Sequence, residues 1–148
     1  MKKAYGGVVI NAAGEVLLRE PAAHYRGDAW TFAKGKPLSG ETPPETALRE
    51  VLEETGVRAR ILLKLPGSFD GSRTSNEYFL MAPVEETGRF DSETNAVRWV
   101  SRTQATELIL QTLKPKRRRR DLRVLKLAYA LLEGLMKANP LLRGFQDS

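Results

Sequence analysis

Three glutamates and an arginine lie together near the middle of the chain at helical spacing. Glu50, Glu53 and Glu54 occupy positions i, i+3 and i+4, and Arg49 directly precedes them. A helix would stack these carboxylates on one face, where they repel one another unless a cation lies between them. Hard divalent cations take oxygen ligands, and Mg²⁺ is the usual one where a substrate carries phosphates. The spacing therefore predicts a magnesium site for a phosphate-bearing ligand.

The same segment resembles the Nudix box, G-x5-E-x7-R-E-U-x-E-E-x-G-U, in which U is aliphatic. Every fixed position is matched over residues 35–57, and the resemblance is tightest over residues 30–57. The matching residues are Gly35, Glu41, Arg49, Glu50, Glu53, Glu54 and Gly56, with Val51 and Val57 at the aliphatic positions. The resemblance implies a hydrolase of nucleoside diphosphates linked to another group, dependent on Mg²⁺ with Mn²⁺ as a substitute.

The resemblance also implies roles for these residues. The three clustered glutamates would ligate the metal, joined by a backbone carbonyl at about Lys34 or Gly35. Arg49 would orient a catalytic glutamate by a charge-assisted hydrogen bond. Glu41 precedes the helix and would either pair with Arg49 or approach the metal.

The general base has two sources in the family, a glutamate of the box or one from a loop near the last strand. Within the box, Glu53 is the first choice for the base or for a metal-bridging acid, and Glu50 and Arg49 complete the catalytic set. Among loop residues Glu93 is the best candidate. Three further glutamates stand behind it: Glu77, Glu85 and Glu86.

Cations and aromatic side chains near the box are candidates for contact with the substrate. Lys34 and Lys36 flank Gly35, where they would meet a polyphosphate, and Arg73 is a further phosphate contact. Outer cations are Arg19 and Arg26. Tyr78, Trp30, Tyr25 and Phe69 could stack on a base, with core packing as the alternative for Trp30 and Tyr78. The only histidine, His24, is assigned to a loop.

Several substrates and one non-enzymatic role fit these motifs. The segment Trp30-x-Phe-x-Lys-Gly-Lys, with Arg73 and Tyr78-Phe79, resembles the branch that cleaves dinucleoside polyphosphates such as diadenosine tetraphosphate, and its relatives acting on diphosphoinositol polyphosphates. Ala33 replaces the proline that many members carry before Lys-Gly. The alternatives are MutT-like hydrolysis of oxidised nucleoside triphosphates and RNA 5′-pyrophosphohydrolysis. A nucleotide- or RNA-binding module without turnover is the non-enzymatic alternative.

Local signals predict the elements that carry these residues. Thr42, Pro43 and Glu45 form a capping box that begins a helix, and Gly56 ends it. Its buried stripe would be Ala47, Leu48, Val51 and Leu52. Strands are predicted at 6–10, 15–20, 30–32, 58–65, 76–83 and 95–100, and further helices at 101–113 and 121–137. Periodicity alone indicates an α+β protein, and the resemblance implies an α/β/α sandwich with a mixed β-sheet.

Composition places these elements in one domain of 148 residues. There is no cysteine, which excludes disulfides and zinc–thiolate sites and agrees with a cytoplasmic protein. No apolar run is long enough to span a membrane. The net charge of +6 derives largely from Lys116–Arg120, which lies in a basic C-terminal helix of about residues 116–137. This run would clamp an anionic substrate or RNA, or would simply be solvated. Monomer and homodimer both remain open.

Overall fold

The computed structural model describes residues 1–22, 28–71 and 73–139 of the chain. Within these residues the chain forms seven strands and three helices. The strands are β1 (Lys2–Val9), β2 (Val16–Pro21), β3 (Ala33–Gly35), β4 (Val57–Lys64), β5 (Phe69–Asp70), β6 (Thr74–Glu86) and β7 (Thr94–Val100). The helices are α1 (Pro43–Thr55), α2 (Arg102–Ile109) and α3 (Pro115–Ala138). None of these helices is long and apolar enough to cross a bilayer.

The main sheet is mixed, as predicted. Its strands follow the order β3-β1-β6-β4, and β5 pairs with β6 beyond the end of β4. β1 and β6 run parallel, whereas β3, β4 and β5 each pair antiparallel with their neighbours. β2 and β7 form a separate two-stranded antiparallel sheet. The long β6 therefore organises most of the pairing.

Each face of the main sheet carries its own apolar cluster, since successive residues of a strand point to opposite faces. Val8 and Leu80 pack with α2 and α3 on one face. Val9 and Met81 pack with Ala47 and other residues of α1 on the opposite face. This arrangement confirms the predicted mixed α/β fold with helices on both sides of a sheet.

α1 begins and ends where the sequence predicts. Thr42 accepts a hydrogen bond from the Glu45 N–H at 3.3 Å, and the Glu45 carboxylate accepts one from the Thr42 N–H at 3.0 Å. Gly56 caps the C-terminus at φ 76°, which favours glycine. The predicted buried stripe is wrong at Leu52, which remains 37% exposed, because the buried side of α1 turns towards Thr55 instead.

The third predicted strand is displaced along the chain. Residues 33–35, not 30–32, pair with β1, with Lys34 opposite Gly6. A Cβ on Gly6 would overlap the Ala33 carbonyl oxygen, so this pairing depends on glycine in β1. Trp30 and Phe32 are instead buried in the core.

Two helices differ from their predicted limits. α2 ends at Ile109, four residues before the predicted 113. α3 begins at Pro115, where proline is well suited to the first helical position, so the basic run 116–120 forms its first turns. Tyr129 of α3 donates a hydrogen bond to the Gly14 carbonyl at 2.6 Å and so ties this helix to the turn before β2.

Replacing Leu132 with alanine tests whether α3 is part of the core. Leu132 is fully buried in the cluster on the α3 side, so the substitution leaves a cavity. We expect the free energy of unfolding to fall by about 2 to 5 kcal/mol in urea titrations. Leu113→Ala is the control, since Leu113 is 79% exposed. Equal effects of the two changes would contradict the docking of α3.

Candidate active site

α1 presents two of the three clustered glutamates, Glu50, Glu53 and Glu54, to a cleft beside β3. Glu50 and Glu54 lie one helical turn apart, and both line this cleft. Glu54 is 4% exposed. Glu53, by contrast, leaves 46% of its side chain exposed and bonds to Arg49 at 3.1 Å. The helix therefore separates the predicted metal ligands into a buried pair and an outer acid.

Glu50 lies directly against the glycine of the preceding loop. A Cβ added to Gly35 would overlap the Glu50 carboxylate. The Glu50 side chain is largely buried and accepts a hydrogen bond from Arg49 at 2.8 Å. Gly35 is therefore required to leave space for a carboxylate, in addition to its predicted role as a carbonyl ligand.

Glu54 is a buried carboxylate with incomplete charge compensation. It accepts a hydrogen bond from the Lys34 N–H at 3.3 Å, and Arg19 Nε lies 3.4 Å from it. Burial raises the pKa of Glu54 to about 9, and the neighbouring Glu50 adds to this shift. A pair of facing carboxylates of this kind favours either a shared proton or a cation.

Arg49 connects the segment between β3 and α1 to the acids of α1. It donates to both carboxylate oxygens of Glu41, at 2.7 and 3.0 Å, and to Glu50, Glu53 and the Lys36 carbonyl. The hydrogen bonds that Glu41 accepts, from Arg49 above all and also from the Leu38 N–H and the Thr46 hydroxyl, lower its pKa to about 2. Of the two roles predicted for Glu41, the structure places it in the salt bridge.

The residues fit a divalent cation through the buried pair. Among the residues that the structure describes, no three acidic or histidine side chains converge into a metal-sized cluster. Glu50 and Glu54 nevertheless offer hard oxygen ligands beside the Lys34–Gly35 backbone, and their proximity costs free energy without a cation. Glu53 would need a change of rotamer to join them.

The cleft has two lobes that share four residues: Asp28, Lys34, Glu54 and Glu93. The smaller lobe, of about 360 Å³, is also lined by Phe32, Thr31 and Pro21. The larger lobe, of about 740 Å³, carries the predicted contacts Lys36 and Arg73. The cations of the larger lobe are Lys34, Lys36, Arg73, Lys114, Arg117 and Arg120.

Lys34 lies at the junction of the two lobes and is largely buried. Burial and the nearby charge of Arg120 lower its pKa to about 8, although Asp121, Asp28 and Glu54 oppose the shift. Its position between the acids of α1 and the cations of α3 makes it the central cation of the cleft.

Other predicted contacts lie away from the cleft. Tyr78 is fully buried between Phe32 and Phe69, so its ring cannot stack on a ligand without opening the core. Glu77 pairs with Lys64 at 2.8 Å. Of the other reserve acids, Glu85 lies near Arg58 and Glu86 accepts a hydrogen bond from Trp99. His24, Tyr25 and Arg26 lie outside the described residues.

Two charged residues of the cleft, Asp28 and Lys114, were not predicted from the sequence. Asp28 lines both lobes and pairs with Arg117 at 3.3 Å, but an isolated aspartate in a loop carries no sequence signal. Lys114 stands outside the basic run and also reaches the cleft. The run itself was visible as a charge cluster, but only the folded chain shows which of its members face the acids.

Comparison with known proteins matches this chain to one protein family. The sequence model described as "NUDIX domain" matches residues 1–125. A UDP-X diphosphatase crystal structure aligns at TM-score 0.65 and 16% identity over 87% of this chain, which spans only 63% of that protein. A NUDIX hydrolase from Nitrosomonas europaea aligns at 0.67 and 22% identity over 84% of this chain and 70% of that one. The solution structure of the E. coli ORF135 protein aligns at 0.62 and 23% identity, over 88% and 91% of the two chains. At these identities the structural matches show the fold alone.

Gly35→Ala tests the packing of Glu50 against the loop. The added methyl group would displace the Glu50 carboxylate, so we expect Mn²⁺ affinity, measured by electron paramagnetic resonance, to fall by about tenfold or more. Gly134→Ala is the matched control, because open space surrounds that position in α3. Unchanged Mn²⁺ affinity in a folded Gly35→Ala protein would show that Glu50 is not a ligand held by this loop.

Proposed function

Since this chain belongs to the Nudix hydrolase superfamily, we propose that it uses Mg²⁺ to hydrolyse a phosphoric anhydride bond in a nucleoside polyphosphate. The observation that carries this proposal is the composition of the cleft. Glu50 and Glu54 lie in the same cleft as six cations, so that a metal and the phosphates it bridges would find partners together. A domain that bound no ligand would gain nothing from a buried pair of acids beside an open cleft lined by cations.

The reaction would be attack of a water oxygen on phosphorus, with cleavage of the anhydride P–O bond. A bound divalent cation would neutralise phosphate charge and lower the pKa of a water. Arg49 holds Glu50 in place, because its guanidinium is anchored at the same time to Glu41 and to the Lys36 carbonyl. Lys34 and Lys36 would bind the phosphate oxygens and the leaving phosphate, which takes the electrons of the broken bond.

Two glutamates are candidates to accept the proton of the attacking water. Glu93 lines both lobes from the turn before β7 and is exposed to the cleft. Glu53 lines neither lobe and bonds to Arg49, so it would have to turn inward to act. The geometry favours Glu93 as the base and leaves Glu53 as an acid that supports Arg49 or joins the metal.

Comparing three single variants separates these roles. We expect Glu93→Gln to lower kcat by about 100-fold or more, because general-base catalysis commonly contributes that much. Glu53→Gln should have the smaller effect, because Glu53 bonds to Arg49 and lines neither lobe. Glu107→Gln, on the exposed side of α2, is the matched control and should leave kcat unchanged. A larger loss in Glu53→Gln than in Glu93→Gln would reverse the assignment.

For the substrate, we propose a dinucleoside polyphosphate such as diadenosine tetraphosphate. The larger lobe carries more cations than one diphosphate needs, and the smaller lobe adds apolar surface from Phe32 and Pro21 for one base. The same smaller lobe would also suit the single base of a nucleoside triphosphate. MutT-like hydrolysis of oxidised triphosphates is therefore the second candidate.

A substrate panel with Mg²⁺ distinguishes these functions. It comprises diadenosine polyphosphates, normal and oxidised nucleoside triphosphates, and 5′-triphosphate RNA, with products resolved by chromatography. We expect ATP release from diadenosine tetraphosphate to be fastest. Pyrophosphate release from an oxidised triphosphate would favour the second candidate, and preference for RNA would favour 5′-end processing. Mn²⁺ binding without turnover of any of these substrates would exclude the two proposed substrate classes and leave the diphosphoinositol polyphosphates or a binding module.

A further inference from the structure

The beginning of α3 concentrates positive charge where a helix is already positive. The unpaired N–H groups of a first helical turn give that end a partial positive charge. The first turn of α3 contains no acid, and its N-cap residue, Lys114, forms no side-chain capping bond with any residue that the structure describes. The basic run 116–120 follows immediately. This end of the helix therefore carries an excess of positive charge, which Asp28 and Asp121 offset only in part.

Only one face of this helical end is directed to the cleft. Lys114, Arg117 and Arg120 are spaced by three residues, which places them on the same side of the helix, and all three line the larger lobe. Lys116 and Arg119 lie between them in the sequence and are exposed elsewhere on the helix. The chain thus contains cleft-facing and solvent-facing cations in the same two turns.

Arg120 has a donor group that lacks an acceptor. The residue is 5% exposed, and its Nε donates to Asp121 at 2.9 Å. Its Nη2 is buried without a hydrogen-bond partner among the described residues. Leaving a buried guanidinium nitrogen unpaired is costly, so this geometry favours an acceptor that arrives with a ligand.

The surroundings of Arg120 hold it rigidly in this position. Asp121, which is fully buried, also accepts a hydrogen bond from the Thr31 hydroxyl at 2.7 Å. A Cβ on Gly71 would lie 3.0 Å from Arg120 Nη1, so the loop before β6 passes close to the guanidinium. Asp28 likewise fixes Arg117 at 3.3 Å. These contacts orient the Arg117 and Arg120 guanidinium groups within the cleft.

We propose that Lys114, Arg117 and Arg120 form a phosphate subsite that binds the part of the substrate's phosphate chain that is remote from Glu50 and Glu54. This inference rests on the proposed function, which it makes more specific: the substrate class is one with three or more linked phosphates. Lys34 would contact the same chain at the junction of the lobes, between the acids and the subsite. The planar fork of an arginine matches the paired oxygens of a phosphate, which suits Arg120 to this role.

Binding of inorganic tripolyphosphate tests the subsite without catalysis. Titration calorimetry of the full chain in EDTA measures the affinity with the metal removed. We expect Arg117→Gln to weaken binding by about tenfold, because a charge-assisted contact is lost. Arg119→Gln removes the same charge from the solvent-facing side of the same helix and should change the affinity by less than about twofold. Equal losses in both variants would mean non-specific attraction and would overturn the proposal, as would no loss in Arg117→Gln.

Arg120→Lys tests the guanidinium itself, since it keeps the charge and removes the fork. We expect tripolyphosphate affinity to fall by about tenfold while the far-ultraviolet circular dichroism spectrum stays unchanged. Should this variant fail to fold, Lys114→Gln takes its place, because Lys114 is an exposed residue whose replacement leaves the core intact. Retained affinity in folded Arg120→Lys, or in Lys114→Gln when it is used, would contradict the assignment.

Kinetics then decide whether the anion is part of the substrate or a separate phosphate. We expect tripolyphosphate to compete with diadenosine tetraphosphate, and Arg117→Gln to raise KM with little change in kcat. Non-competitive inhibition would assign the site to free phosphate and overturn the substrate role. If no anhydride is hydrolysed at all, the proposed function fails, but the calorimetric contrast between Arg117→Gln and Arg119→Gln still tests the subsite.

Discussion

The site depends on the network around the Arg49 guanidinium. Glu41 belongs to the loop before α1, the Lys36 carbonyl belongs to the segment after β3, and Glu50 belongs to the helix. One planar cation joins all three, and the surrounding carboxylates raise its pKa further above the ordinary value, so it stays charged. Without this cation, Glu50 and Glu41 would lose their common partner, and the Lys36 carbonyl would lose the donor that joins it to the helix. A lysine could not reproduce these directional contacts.

Charge in the cleft is divided by structural element. Three of the four acids, Glu50, Glu54 and Glu93, derive from α1 and the turn before β7, and the fourth is Asp28. Most cations derive from α3 and the segment around β3. Lys34 lies between the two groups, and its lowered pKa of about 8 reflects both burial and the proximity of Arg120. A metal placed with the acids and a phosphate chain placed with the cations would relieve the repulsion within each group at once. The cleft therefore contains two opposite concentrations of charge that one metal–phosphate ligand would neutralise together.

Glycine makes this close arrangement sterically feasible. Gly35 leaves room for the Glu50 carboxylate, and Gly6 allows β3 to pass close to β1. The second contact allows residues 33–35, rather than the predicted 30–32, to pair with β1. It also places Lys34 in the strand itself, which explains how a lysine becomes buried at the centre of the cleft.

The sequence alone determined α1 and its box, because the interactions that define them are local. The Thr42 cap, the Gly56 terminus and the contact of Arg49 with Glu53 all join residues a few positions apart, and such pairs can be read from spacing. Only the tertiary structure decided that Glu54 is buried whereas Glu53 faces outward, because that depends on β2 and β3 packing against the helix. It also brought Asp28 to Arg117, which is 89 residues away, and placed one face of the basic run in the cleft. Contacts over such separations depend on how the sheet and α3 pack, and no local pattern specifies that packing.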